Sequence, residues 1–521
     1  MTLAHLVDLR IAPLLATLLA AGGSTAAAQG FGPDRLITDT ADLALDTHAV
    51  DLDGDGDLDV VSAFAIDNQI AWSQNLGGGI FGQHRVISFE ADGASAVHAG
   101  DLDGDGDADV VSASAGDDKI AWYENLGGGT FGPQRVLTTT AFAALAVEAV
   151  DLDGDGDVDI VSASQNDDTV AWFENLGGGT FGPEQFLSFG HLSPEDVFAE
   201  DLNGDGDTDV LVGFSEHAGS EVAWIENLGG GTFGPLQSID TGIDWLQRVH
   251  ASDLDGDGDA DALAASRNDH TIGWYENLGG GAFGPQRVIS SGVFSARDVF
   301  TADVDGDGDL DVLAGSGDFD ELVWFENLGA ASFGPEQAID GRVGSPRAIQ
   351  AVDLDLDGDP DLLVAASLGG RVFWYENWGH GAVYCRPGVV NATGQWGKIS
   401  ATGSVIAAND DLTLRARDLP PSNLAFFLTS RNQGFIARPP NSVGNLCLSA
   451  PIGRYVGPGQ VLSTSAAGTA ELVLQLPMTP TATGFVAIQA GETWNFQCWH
   501  RDSAGGAPTS NFTDAVSVTF R

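Results

Sequence analysis

The residues best suited to chemistry are aspartates that recur at fixed spacing in short acidic loops. In the first loop, which is nine residues long, positions 1, 3, 5 and 9 are Asp51, Asp53, Asp55 and Asp59. Gly56 at position 6 permits a turn with positive φ, and the main-chain carbonyl of Asp57 at position 7 is a further potential ligand. Oxygen ligands of this charge on a flexible loop favour Ca²⁺ over softer metals and over the strictly octahedral Mg²⁺.

The acidic loop occurs seven times, and the sequence therefore predicts about seven calcium sites. The residues at positions 1, 3, 5, 7 and 9 of the later loops are Asp101, Asp103, Asp105, Asp107 and Asp109; Asp151, Asp153, Asp155, Asp157 and Asp159; Asp201, Asn203, Asp205, Asp207 and Asp209; Asp253, Asp255, Asp257, Asp259 and Asp261; Asp303, Asp305, Asp307, Asp309 and Asp311; and Asp353, Asp355, Asp357, Asp359 and Asp361. Asn203 still offers a carbonyl oxygen, whereas the seventh loop departs from the pattern with Leu356 and Pro360 at positions 4 and 8. The alternative is a set of solvated acidic turns without metal, in which the like charges of each loop would repel one another.

The loops belong to a repeat of 50 residues, lengthened once to 52. Each loop follows a Phe-Gly pair by 20 residues and precedes a Trp-x-x-Asn segment. In the second unit, alternating or β-branched runs predict four strands, namely AVHAGD before the loop, DVVSAS after it, then KIAWYEN and PQRVLT. No loop has a glutamate at position 12, and apolar strand residues follow directly, so each loop is expected to join two strands. Four antiparallel strands per unit are typical of a propeller blade.

The two ends of the repeat region complement each other. The seventh unit ends at its Trp374 strand, while an additional copy of the fourth strand, FGPDRLI, occupies Phe31–Ile37. This segment is expected to pair with the seventh unit and close the ring, which leaves no open sheet edge. The predicted fold is therefore all-β, a seven-bladed β-propeller closed by an N-terminal strand and followed by a C-terminal β-sandwich.

With its Phe-Gly-Pro segments, DxDGDGDxD loops and seven units over residues 31 to about 380, the sequence resembles the FG-GAP/VCBS repeat family. The best-known member domain of this family is the seven-bladed propeller of integrin α subunits. The resemblance implies that the calcium loops lie on the lower face of the propeller and that partners bind the opposite, upper face. The upper-face residues implied here include Phe142, His191, Trp245, Arg248, Arg297, Arg342 and Arg347. The family has many functions, so the resemblance indicates fold and metal better than activity.

Two further sets of residues have alternative interpretations. The residues three positions before the acidic loops are His48, His98, Glu148, Phe198, His250, Phe300 and Gln350. Their three histidines could hold a transition metal, or the positions could serve contacts between blades. The repeated tryptophans, which could stack on sugars or pack between blades, are Trp72, Trp122, Trp172, Trp224, Trp274, Trp324 and Trp374.

The two ends of the chain differ from the repeat region. The apolar run IAPLLATLLAA and a following Ala-Ala-Ala predict a secretory signal peptide over residues 1–28, with an uncleaved membrane anchor as the alternative. No later apolar stretch approaches the about 20 residues that span a bilayer. The propeller is assigned to residues 29–380 and a β-sandwich of unknown role to residues 381–521, where Trp494, Phe496 and Trp499 could form either a carbohydrate platform or a core. Three cysteines, Cys385, Cys447 and Cys498, allow one disulfide whose pairing the sequence leaves open.

Charge and loop lengths limit the function. The chain has 75 acidic and 21 basic residues, a formal net charge of −54, which makes nucleic acid and anionic membranes poor partners. Loop lengths are uniform apart from an insertion around Glu216–Glu221, and no catalytic motif is present, so no catalytic residue is assigned. The sequence predicts a secreted calcium-binding adhesion or ligand-binding module for an extracellular protein or glycan. The alternatives are a polysaccharide-acting extracellular enzyme that uses the upper face, and a structural matrix or coat component.

Overall fold

The computed structural model of the protein describes residues 30–190, 193–215, 219–356, 359–377, 379, 382–385, 388–402, 405, 407, 412–439, 442–504 and 507–520. The predicted signal peptide lies outside the described residues, as do His191, Glu216 and Asp357. Over the described ranges the chain forms β-strands and one 3-10 turn, Leu476–Met478, and no α-helix. The all-β prediction is therefore confirmed. None of the helical structure in these ranges is long and apolar enough to cross a membrane.

The repeat region begins with β1 (Arg35–Thr38) and continues with consecutive sets of strands. The first three sets are β2 (Ala44–Val50), β3 (Asp59–Phe64), β4 (Gln69–Asn75) and β5 (Phe81–Ser88); β6 (Ala94–Gly100), β7 (Asp109–Ser114), β8 (Lys119–Tyr123) and β9 (Arg135–Thr138); and β10 (Ala144–Val150), β11 (Asp159–Ser164), β12 (Thr169–Phe173) and β13 (Gln185–Phe189). The next three are β14 (Pro194–Glu200), β15 (Asp209–Phe214), β16 (Ser220–Asn227) and β17 (Phe233–Ile243); β18 (Leu246–Ser252), β19 (Asp261–Ser266), β20 (Thr271–Tyr275) and β21 (Arg287–Ser290); and β22 (Ala296–Ala302), β23 (Asp311–Ser316), β24 (Glu321–Phe325) and β25 (Gln337–Asp340). The last set is β26 (Pro346–Val352), β27 (Asp361–Ala366) and β28 (Arg371–Tyr375).

Each set forms an antiparallel sheet in chain order, and the last set is completed from the other end of the chain. In that sheet β1 pairs with β28, with Arg35 opposite Trp374, and Phe31 forms a further bridge with Asn377. The strand β1 is therefore the fourth strand of the last sheet, as the sequence predicts for the segment Phe31–Ile37. The first strands of neighbouring sheets contact one another, and β2 contacts both β6 and β26, so the series of contacts returns to its start.

The apolar core lies between adjacent sheets. All residues of the second strand β3 are buried, because neighbouring sheets cover both of its faces, whereas the fourth strand β5 is only half-buried. One core cluster joins Val61 and Trp72 of the first sheet to Val97 and Tyr123 of the second. A single sheet therefore leaves apolar surface exposed unless it has neighbours on both sides.

The repeated tryptophans pack between sheets. Their exposed fractions lie between 0% and 3%, which excludes the sugar-platform interpretation. The indole of Trp72 lies against Gly129 of the next sheet so closely that a Cβ atom there would be 2.3 Å from its Cζ2 atom. Phe131, from the Phe-Gly pair of that next sheet, meets the same indole edge-on at a centroid distance of 6.5 Å. The Phe-Gly pair and the glycine-rich turn are thus both parts of one contact with the preceding tryptophan.

The C-terminal region has its own sheets and core. Its strands are β29 (Ala382–Tyr384), β30 (Lys398–Thr402), β31 (Thr413–Arg417), β32 (Leu424–Ser430), β33 (Gln433–Ile436), β34 (Leu446–Leu448), β35 (Gly453–Arg454), β36 (Leu462–Ser463), β37 (Ala470–Val473), β38 (Thr479–Thr481), β39 (Gly484–Val486), β40 (Thr493–Ala504) and β41 (Ala507–Thr519). The largest sheet has the order β29-β41-β40-β32-β35 with β36 paired to β32, and a second sheet has the order β30-β31-β37. Both sheets contribute to one core that includes Leu414, Phe427 and Val516.

Two questions that the sequence left open in this region have structural answers. Cys385 and Cys447 form a disulfide, and Cys498 is buried. Trp494 and Phe496 are 2% and 0% exposed and belong to the core. A carbohydrate platform built from these two side chains is therefore excluded.

Candidate metal sites

Each acidic loop connects the first strand of a sheet to the second, and backbone amides organise it. In the first loop, the N–H of Gly54 donates to Asp51 Oδ1 at 2.8 Å and the N–H of Gly56 donates to Asp51 Oδ2 at 2.9 Å. Both glycines have positive φ, 76° and 93°, which a residue with a side chain rarely adopts. The glycines at positions 4 and 6 thus wrap the loop around the carboxylate of position 1.

Carboxylates from several loop positions converge. In the first loop, oxygen atoms of Asp51, Asp53 and Asp59 lie within 4.8 Å of one another. The same convergence is found for Asp101, Asp103 and Asp109, for Asp151, Asp153 and Asp159, for Asp253, Asp255 and Asp257, and for Asp303, Asp305 and Asp307. The Oδ1 atom of Asp53 is buried and has no hydrogen-bond partner, as expected for an oxygen suited to a cation. These donor sets fit Ca²⁺, which takes carboxylate and carbonyl oxygens.

The fourth loop, which carries Asn203 at position 3, also borders open space. A cavity of about 290 Å³ is lined by Asn203, Asp205 and Glu226 of the fourth sheet and by Gly280 of the fifth. The side-chain amide of Asn203 donates to Asp205 Oδ2 at 3.0 Å. The position 3 side chain therefore lies beside position 5 in this loop, with room for a cation next to them.

The carboxylate at position 9 is the deeply buried member of the set. Asp59 is 0% exposed and accepts hydrogen bonds from the N–H groups of Asn75 at 2.7 Å and Leu52 at 3.0 Å. Burial raises the pKa of Asp59 to about 7, although these two amides oppose the shift. Asp109 is placed in the same way, and burial raises its pKa to about 7 as well. A divalent cation would offset the cost of keeping these buried carboxylates charged.

In the first two sheets, a polar side chain at the end of the third strand or just after it contacts the acidic loop, and the sequence did not predict this role. Gln74, two residues after Trp72, donates from its side-chain amide to the Oδ2 atom of Asp53. Burial, followed by the charge of Asp105, raises the pKa of Asp103, and the equivalent Glu124, which is in hydrogen-bonding contact with Asp103, adds to the rise. The signal in the sequence is the acidic residue of the repeated Trp-x-Glu-Asn segment, which places an additional oxygen beside loop position 3.

The asparagine of the same segment ties each loop to the loop of the preceding sheet. The Nδ2 atom of Asn125 donates to the main-chain oxygen of Ala108 in its own loop at 3.0 Å and to that of Leu52 in the first loop at 2.8 Å. The other bonds to the loop of the preceding sheet are Asn175 to Leu102, Asn227 to Leu152, Asn277 to Leu202, Asn327 to Leu254, Asn377 to Val304 and Asn75 to Leu354. The acidic loops therefore form one hydrogen-bonded series rather than independent turns.

The polar residues that precede the loops line a central cavity of about 250 Å³. Three of them accept hydrogen bonds from the main-chain N–H of the next sheet: His98 from Ala149 at 3.3 Å, Glu148 from Ala199 at 2.8 Å, and Gln350 from Ala49 at 2.8 Å. His250 packs against the rings of Phe198 and Phe300, and its Nε2 atom lies 2.9 Å from Thr301 Oγ1. These contacts favour the inter-blade interpretation of the positions over a histidine metal site.

The guanidinium of Arg248 lines the central cavity. It forms ion pairs with Asp298 at 3.0 Å, with Asp196 at 3.2 Å and with Asp46 at 3.7 Å. The three carboxylates belong to the first strands β22, β14 and β2, so one arginine connects four sheets. A repeat comparison could not reveal this role, because the arginine occurs at this position in one sheet only.

A cluster of arginines lies at the end of the sheets opposite the acidic loops. Arg297 and Arg347 are the second residues of β22 and β26, and Arg267 is in the turn after β19. The equivalents of Arg267 and Arg297 in earlier sheets are Gln165 and Glu195, which form a hydrogen bond of 2.8 Å. Arg267 and Arg297 therefore place two positive charges where the earlier sheets have a neutral amide donor and a carboxylate acceptor.

Arg297 is the central member of this cluster. Its Nη1 atom donates to Gln247 Oε1 at 2.8 Å, whereas its Nε atom is buried without a hydrogen-bond partner. Burial and the neighbouring charges of Arg347 and Arg267 lower the pKa of Arg297 to about 9. The cluster thus offers guanidinium donors whose positive charges are incompletely neutralised.

Comparison with known proteins identifies similar sequences and structures. The model of an FG-GAP-like repeat matches residues 51–112, 101–162, 151–212, 201–264, 253–314 and 303–364, which together span more than half of the chain. Crystal structures of BBS1N in complex with ARL6DN, soaked with lead and with mercury, are similar at TM-scores of 0.45 and 0.48 and sequence identities of 13% and 12%. The two matches extend over 66% and 68% of this chain and over 96% and 98% of the matched chains. No curated protein matches the sequence.

Proposed function

Because the chain belongs to the FG-GAP-like repeat family, we propose that it is a secreted, calcium-stabilised seven-bladed β-propeller that binds an extracellular ligand. The proposed organisation is a signal peptide over residues 1–28, the propeller over 29–380 and a β-sandwich over 381–521. The observation that carries the proposal is the convergence of carboxylate oxygens in successive acidic loops. Converging anions of this kind need a cation to balance their repulsion.

The role proposed for calcium is structural. Each loop is bonded through asparagine to the loop of the preceding sheet, so a cation that orders one loop also supports the next. Extracellular calcium loops often bind at about 10⁻⁴–10⁻³ M, which suits sites that stay filled in calcium-rich medium rather than sites that signal. Calcium binding to the folded state alone stabilises that state by mass action.

The ligand is proposed to bind at the end opposite the calcium loops. Arg297 and Arg347 bring positive charge to that end of a chain whose formal net charge is −54. The chemistry that fits these guanidinium groups is a carboxylate or sulfate. A densely anionic polymer would be repelled by the rest of the molecule. An isolated anionic group on an otherwise neutral or basic extracellular protein or glycan therefore fits best.

Binding to glycan and matrix-protein arrays, with calcium and with EGTA, tests this proposal. The wild-type chain is expected to be retained by ligands that carry an isolated carboxylate or sulfate, and to lose retention in EGTA. The double variant Arg297→Ala/Arg347→Ala should lose at least ten-fold in retention, whereas Arg454→Ala, an exposed arginine of the C-terminal region, should not. Turnover of a retained polysaccharide would contradict the proposal. Retention that is the same with calcium and with EGTA, and the same in the wild type and in the double variant, would also contradict it.

A further inference from the structure

The seventh acidic loop differs from the others in its backbone as well as in its sequence. At position 4 the first three loops have Gly54, Gly104 and Gly154 at φ angles of 76°, 77° and 75°. The seventh loop places Leu356 there at a φ of 55°, in the left-handed region that disfavours a side chain. The seventh loop therefore has the same turn but lacks the glycine that makes a positive φ favourable.

A guanidinium from the C-terminal region lies on this loop. Arg417 Nη1 is 3.1 Å from Asp355 Oδ1 and 3.2 Å from Asp355 Oδ2, and its Nη2 atom contacts Glu376 Oε1. The side chains of Arg417, Asp355 and Glu376 are 9%, 5% and 0% exposed. Lys398 Nζ adds a contact of 3.3 Å to the same Glu376 oxygen. Asp355 of this loop and the neighbouring Glu376 are thus paired with cations of the C-terminal region.

The C-terminal region presents these cations from two paired strands. Lys398 on β30 lies directly opposite Arg417 on β31. On β31, the alternate residues Leu414 and Ala416 are 0% exposed and belong to the C-terminal core, so Arg417 projects from the other face. A bridge between Gly379 and Ala401 continues the contact along the backbone. One face of the β30-β31 pair therefore docks on the seventh sheet.

The second sheet has a different arrangement at the corresponding residues. In the second sheet, the position 3 carboxylate of Asp103 converges with Asp101 and Asp109, and Glu124 pairs with Arg135 of its own sheet. In the seventh sheet, the equivalent of that pair is Arg35 with Glu376, and Arg417 is an additional cation that bridges Glu376 and the position 3 carboxylate. The guanidinium of Arg417 thus contacts the same oxygens of Asp355 and Glu376 that a calcium ion in this loop would use.

We propose that Arg417 takes the place of the seventh calcium ion, so that the chain binds six calcium ions and the seventh acidic loop anchors the C-terminal region. Both oxygens of Asp355 accept from the Nη1 group of Arg417, and calcium would have to displace this buried ion pair to reach them. The count of six rests on the proposed calcium function of the other loops. The anchoring of the C-terminal region does not depend on calcium.

Calcium stoichiometry, measured by equilibrium dialysis, tests the count. The wild-type chain is expected to bind six ions per molecule, and Asp53→Asn, in the first loop, is expected to bind five. Asp355→Asn, the same change at the same position of the seventh loop, is expected to leave the count at six. A wild-type count of seven, or the loss of one ion in Asp355→Asn, would overturn the inference. A wild-type chain that binds no calcium would instead contradict the proposed calcium function.

Hydrogen exchange tests the anchor independently of any metal. In Arg417→Ala, the amides of Lys398–Thr402 and Thr413–Arg417 are expected to exchange at least several-fold faster than in the wild type, while removal of calcium from the wild type leaves them protected. Arg454→Ala is the matched control and should change neither segment. Unchanged protection in Arg417→Ala, or loss of protection in the wild type when EDTA is added, would overturn the anchoring role.

Discussion

The side-chain amide of Asn75 donates a hydrogen bond of 2.8 Å to the main-chain oxygen of Leu354, which lies 279 residues further along the chain. The same bond joins each acidic loop to its predecessor, and this one joins the first loop to the last. The pairing of β1 with β28 closes the same series at the outer strands. Two separate contacts, a side-chain hydrogen bond at the loops and strand pairing at the sheet edge, therefore hold the two ends of the repeat region together.

Removal of one linking asparagine should destabilise more than its own sheet. Asn125→Ala leaves the oxygens of Leu52 and Ala108 without their side-chain donor, and the expected cost is about 2–4 kcal/mol in the free energy of unfolding. Chemical denaturation in saturating calcium measures this change. Asn166→Ala, at an exposed turn, is the control and should cost less than about 0.5 kcal/mol. Equal effects of the two substitutions would show that the bond does not stabilise the ring.

The contact between tryptophan and glycine gives a prediction with a close control. Gly128 and Gly129 both have positive φ, 62° and 66°, but only at Gly129 would a Cβ atom meet the indole of Trp72. Alanine at either position bears a backbone cost of about 1–2 kcal/mol. Gly129→Ala should add about 1–3 kcal/mol for the clash. The difference between the two unfolding free energies is the measurement, and a difference near zero would contradict the packing.

Deletion of residues 29–40 removes β1 and leaves β28 as an open edge. The unfolding temperature of the whole repeat region is expected to fall by many degrees, because every sheet depends on two neighbours for its core. Differential scanning calorimetry gives the temperature, and hydrogen exchange shows where protection is lost. Loss of protection confined to the seventh sheet, with an unchanged unfolding temperature, would mean that the repeats are stable without closure.

Glu148 should make stability depend on pH. Burial, together with the nearby charge of Asp196, raises its pKa to about 8 from an ordinary value of 4.5. The folded state therefore holds this proton more tightly than the unfolded state, so the stabilising contribution is complete below pH 4.5 and is lost as the pH rises through 8.

The variant Glu148→Gln keeps an oxygen for the N–H of Ala199 and removes the titration. At saturating calcium, the wild type should lose up to about 1.4 kcal/mol per pH unit more than the variant between pH 5 and 8. Unfolding free energies at several pH values give both slopes. Parallel pH profiles for the two proteins would contradict a raised pKa at Glu148.

The sequence predicted what is repeated and local. Alternation and turn residues predicted the strands, and the recurring spacing of Asp51, Asp53 and Asp59 predicted that their carboxylates converge. Both signals depend on residues that are only a few positions apart. The partner of Asn125 in the preceding sheet was not predicted, since spacing within one unit does not show which backbone atom of another unit lies beside it.

Contacts that occur once in the molecule could not be predicted at all. Arg417 meets Asp355 across 62 residues, and Arg248 meets three carboxylates from three other sheets. Neither arginine belongs to a repeated pattern, so its position depends on the docking of elements that are distant in sequence. The pairing of Cys385 with Cys447 was open for the same reason.

Calcium in the acidic loops is proposed to stabilise the ring of sheets. The most direct test is calorimetric unfolding of the wild-type chain with 2 mM calcium and with excess EDTA, combined with a count of bound ions. A stabilising role of calcium predicts six ions per chain and an unfolding temperature that falls by many degrees when calcium is removed. Two or fewer bound ions, with the same unfolding temperature in calcium and in EDTA, would contradict it.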